Sequence, residues 1–171
     1  MSGKRYLSYR DQEWLENMLA EVWYAHFEDV PQRNEVRIVY GRKARRRLGS
    51  IGWDKHDKSI SVITINPIFQ DLEVPEYVVK ATIVHEMTHY AHGFNSPLEQ
   101  KHKHPHSGGV IRREFAERGL EQLFLDQQAC LREHWVEILT KHYPNERFVA
   151  RPTNGGRRPS EPMPWWMGGL R

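Results

Sequence analysis

Ala81-Thr82-Ile83-Val84-His85-Glu86-Met87-Thr88-His89-Tyr90-Ala91-His92 is the stretch from which the rest of the chain is read. Pro75 and Glu76 suit the first turn of a helix, where free N–H groups face outward and negative charge is favoured. Val78, Val79, Thr82, Ile83, Met87, Tyr90 and Ala91 then recur at helical spacing on more than one face, so the helix is expected to be buried along much of its surface. Gly93 and Pro97 end it. His85 and His89 lie one turn apart, and both imidazoles can meet a single ion while Glu86 reaches its open side. Two buried imidazoles beside a carboxylate are costly unless paired, and one cation satisfies all three groups. The competing interpretation is a pair of hydrogen-bonded core histidines.

Working outward, Trp14, Leu15, Met18, Leu19, Val22, Trp23 and Phe27 form an amphipathic helical stripe between Asp11 and about Glu28. Val36–Tyr40, Leu48–Trp53 and the branched run Ser59–Ile65 read as three short strands, the last closed by Asn66-Pro67. One strand edge beside the histidine helix is expected to stay open, where an extended peptide could pair. Ser107 is a candidate N-cap for a second long helix through Phe115, Leu123, Leu131, Trp135 and Leu139, kinked near Gly119. The expected class is α+β, with a small, largely antiparallel sheet packed against long helices. Residues 1–150 are assigned to this domain and residues 151–171 to an irregular basic tail rich in Pro and Gly. Met163, Trp165, Trp166 and Met167 in that tail are costly to expose and are expected to dock on the domain or on a partner.

At 171 residues the chain is long enough for one core without disulfides, and Cys130 is the single cysteine. No apolar run approaches the length of a membrane span and no leader pattern opens the chain, so a cytoplasmic protein with no membrane partner is expected. With 25 Lys and Arg against 22 Asp and Glu, the formal net charge is only +3. The charge is unevenly placed: Arg42, Lys43, Arg45, Arg46 and Arg47 crowd one turn, a candidate for non-specific DNA contact. A solvated turn is the competing interpretation.

A catalytic zinc takes three protein ligands and keeps one position for water. His106, just ahead of a predicted helix, is the preferred third ligand; His102, His104, His92, Glu114 and Glu117 are the alternatives. In such a site Glu86 would act as general base and acid on a zinc-bound water, and Tyr90, His92 or His104 would face the developing oxyanion.

Leu48-Gly49-Ser50, the strand Ile60–Ile65 with Asn66-Pro67, His85-Glu86-Met87-Thr88-His89 and His106-Ser107-Gly108-Gly109, in that order, resemble the SprT-like zinc metallopeptidase domain. The likeness runs over roughly residues 15 to 140. It implies a zincin-like minimal metalloprotease fold, Zn2+ on His85, His89 and His106, Glu86 as the catalytic acid/base, and a protein or peptide as substrate. Some members of that family act on proteins crosslinked to DNA, but the four-cysteine ribbon that can follow the catalytic part is absent here. The alternative expectation is a zinc-containing, nucleic-acid-associated or adaptor module whose metal is structural or catalytically idle.

Overall fold

The computed structural model describes residues 8–148. The tail from residue 151, with its tryptophans and its division from the domain, lies outside the described residues. In chain order the elements are α1 (Gln12–His26), β1 (Val36–Tyr40), β2 (Gly49–Trp53), β3 (Ser61–Ile65), α2 (Glu76–Ala91), α3 (Val110–Glu117) and α4 (Glu121–His142), with a 3-10 turn over Pro67–Gln70 before α2. This is an α+β domain with a small mixed sheet against several long helices.

The sheet order is β1-β3-β2, with β1 parallel and β2 antiparallel to β3. The expectation of a largely antiparallel sheet is therefore corrected. β3 is the strand richest in branched residues and alternates between buried Ser61, Ile63 and Ile65 and partly buried Val62 and Thr64. That pattern suits the centre of the sheet, so β1 reaches β3 across the chain and does not form a hairpin with β2. The basic turn between β1 and β2 is thereby released from hairpin geometry.

α2 is buried nearly all round, with Val79, Ile83, Val84, Met87 and Tyr90 fully inside the core. It packs on β2, β3, α1, α3 and α4, and so forms the axis of the domain. α1 is capped by Asp11, whose carboxylate accepts from the Trp14 N–H at 2.8 Å, and it buries Leu15, Met18, Leu19 and Val22. The single kinked helix expected after residue 107 is instead two helices. Gly119 adopts φ +72°, a left-handed conformation that breaks α3 from α4. Ser107 caps neither; its hydroxyl donates to the His104 carbonyl at 3.0 Å, and α3 begins after Gly109 at φ +69°.

Candidate metal centre

α2 presents His85 and His89 on one side, with their Nε2 atoms 3.0 Å apart. His106 arrives from the irregular connection between α2 and α3, its ring centroid 4.6 Å from that of His89 and 5.7 Å from that of His85. One ligating nitrogen from each ring lies within 4.8 Å of the others, the one metal-capable group of this kind among the described residues. In a tetrahedral zinc site with Zn–N bonds of about 2.0–2.1 Å, neighbouring nitrogens stand roughly 3.3 Å apart, so a small adjustment would seat one ion. Burial holds all three imidazoles toward the neutral, ligating form: His85 is pushed down to about 3 and His89 to about 2, with His106 lowered as well. The Nδ1 atoms of His89 and His106 are buried with no hydrogen-bond partner among the described residues. The donor set fits a divalent transition metal.

The other candidate ligands are placed elsewhere. His92 is 3 % exposed and its Nε2 pairs with the Glu114 carboxylate at 2.9 Å. The His102 ring packs on His92, with centroids 4.8 Å apart, and His104 is exposed. Glu114 also binds Arg118, which crosses to the His26 carbonyl and Asp29 at the end of α1. Tyr90 is no closer to the chemistry: its hydroxyl donates to Asn34 at 2.9 Å and accepts from the Arg33 N–H.

The activity expected from the motif is corrected by this geometry. The groups that converge are three imidazoles with no carboxylate among them, which defines a three-histidine metal-binding cluster and not the water-activating peptidase site expected from the sequence. Glu86, though it stands between two of the histidines in sequence, is 4 % exposed and lies beside Gly49 of β2. Burial pushes its carboxyl up to about 8, against the opposing pull of Arg47.

The cluster opens into a cleft of about 960 Å³, walled on one side by Lys43 to Ile51 and on the other by Thr82, His85, Glu86 and His89, with Phe94, Asn95 and Tyr143 at its margins. The basic turn is built into this wall. The buried Asn66 amide donates to the Ala44 and Arg47 carbonyls at 2.6 and 2.9 Å, and the Trp135 indole donates to the Arg45 carbonyl at 3.1 Å. Phe94, Asn95 and Tyr143 are not among the residues singled out from the sequence. The nearest signal is Gly93 at φ +76° followed by Asn95 at φ 50°, which turns the chain from α2 back across the cleft.

No family model, curated protein or solved structure matches the chain. The resemblance to SprT-like metallopeptidases therefore rests on the order of short motifs alone. With a metal-capable set that contains no carboxylate, the assignments to that family, to the zincin fold and to a peptidase are withdrawn. What stands is an α+β domain with a three-histidine cluster at the base of a basic-walled cleft.

Proposed function

We propose that this chain is a zinc-binding, nucleic-acid-associated module whose metal is held by His85, His89 and His106 and serves to bind and to brace. The carrying observation is that the three-histidine cluster and the Lys43 to Arg47 turn share one cleft. Neutral imidazoles with no other ligand type suit zinc. The brace follows from where the ligands sit: two are on α2, and the third is in the long irregular connection to α3, so one ion would tie that connection to the core helix. The basic wall supplies the electrostatic, sequence-tolerant contact that phosphate backbones accept. No helix among the described residues is long and apolar enough to cross a membrane.

The test is metal content by mass spectrometry on wild type and His106→Ala, with oligonucleotide binding measured across a salt series. About one zinc per chain, lost in His106→Ala, and DNA affinity that falls steeply with salt are the expected results. Cleavage of a denatured protein by the zinc-loaded chain, abolished in Glu86→Gln with zinc retained, would overturn this reading.

A further inference from the structure

The three histidines leave a tetrahedral ion one position short, and no carboxylate or thiolate of the described residues joins the cluster. The three rings line a cleft that also carries four basic side chains, Lys43, Arg45, Arg46 and Arg47, against a single acid, Glu86. The basic side chains are exposed, while the backbone that bears them is fixed by the buried Asn66 amide and the Trp135 indole. Arg45 is engaged with Glu146, and Lys43 donates to the His142 carbonyl at 3.3 Å without losing its charge. Arg47 makes no ion pair among the described residues that would occupy its fork, and it lines the same cleft as the cluster. A wall of this kind next to an incomplete metal site calls for a ligand with several anionic oxygens, one for the metal and others for guanidinium or ammonium groups.

We propose that the fourth position of the metal held by His85, His89 and His106 takes a phosphate oxygen, with Lys43 and Arg47 gripping the remaining oxygens of the same group. The proposal rests on the metal-centre reading above and deepens it: nucleic acid would be held through the metal as well as through the wall. A carboxylate offers only two oxygens and one charge, and the row of cations along one turn suits consecutive phosphates better. Binding is ligand exchange at the metal, with no covalent bond of the phosphate made or broken.

The experiment uses the full chain loaded with Co2+, whose visible absorption reports the ligands around the ion. Inorganic phosphate and a short single-stranded DNA are titrated separately. Both are expected to shift the cobalt bands saturably, and the double variant Lys43→Ser/Arg47→Ser is expected to weaken both by about tenfold or more while the phosphate-free cobalt spectrum stays as in wild type. A shift with phosphate alone supports the same chemistry with a free-phosphate source. Bands that do not move with either probe, in protein holding one Co2+ per chain, overturn the proposal, as does unchanged affinity in the double variant. DNA bound with no change in the cobalt bands likewise overturns it, since the wall then acts without the metal. A chain that takes up no Co2+ removes the metal-centre reading itself, an outcome told apart from the others before any phosphate is added.

Discussion

Gly49 shows how finely the cleft is fitted at the level of single residues. A Cβ there would meet the Thr82 methyl at 2.9 Å and the Glu86 carboxyl at 3.1 Å, so Gly49→Ala must push α2 away from β2 or turn Glu86. It should lower stability by roughly 1–3 kcal/mol in urea denaturation, and it should weaken metal affinity because His85 and His89 ride on the displaced helix. Glu114 gives a prediction with a sign. The hydrogen bond from His92, aided by Arg118, holds its carboxyl down to about 2 from an ordinary 4.5. A carboxylate with a depressed folded-state pKa contributes stability that is present above its unfolded value and lost as pH falls toward the folded one. Wild type should therefore lose roughly 2–3 kcal/mol more than Glu114→Gln between about pH 5 and pH 2, measured by denaturation at each pH. Of the site residues, His85 and His89 are legible because helical spacing places them without reference to any other element. His106 is legible only as one of several candidates, since nothing local in the His102 to His106 segment says which ring turns inward. The tertiary position of that connection decides it.

Among the elements, the connection between α2 and α3 is the one the metal should govern. Its first residues are tied to the core by the Phe94 N–H to the His89 carbonyl and the Ser61 hydroxyl to the Asn95 carbonyl, but beyond Leu98 the backbone bond back toward α2 is the Lys101 N–H to the His92 carbonyl, so His106 on an ion is a main point of attachment. Chelation should speed proteolysis between residues 98 and 109 while α2 and β3 stay protected, and zinc should reverse it; limited proteolysis followed by mass spectrometry reads this directly. Gly93 fixes where the connection starts. At φ +76° its missing Cβ leaves room for the Glu99 carbonyl, so Gly93→Ala should cost about 2 kcal/mol or more by thermal denaturation. The helices and strands themselves are largely legible, because their apolar periodicity is local. The pairing of the strands is not: a parallel partner can be chosen only when all three strands compete for β3. The break at Gly119 is likewise a left-handed turn that helical patterning alone reads as a kink.

At the scale of the whole molecule, the metal should raise stability by mass action, since the three imidazoles come together only in the folded chain. Zinc at about a hundred times its dissociation constant should add roughly 2.7 kcal/mol, seen as a rise in melting temperature that His106→Ala abolishes. A three-stranded sheet also has two free edges, and each here is closed at its middle residue by a side-chain amide. Gln12 of α1 donates to the Ile38 carbonyl of β1 at 2.7 Å, and Asn95 donates to the Ile51 carbonyl of β2 at 2.9 Å. These two contacts make the sheet a poor template for further strands. Two amides, each on one carbonyl of an edge strand, thus work against polymerising edge to edge at high concentration.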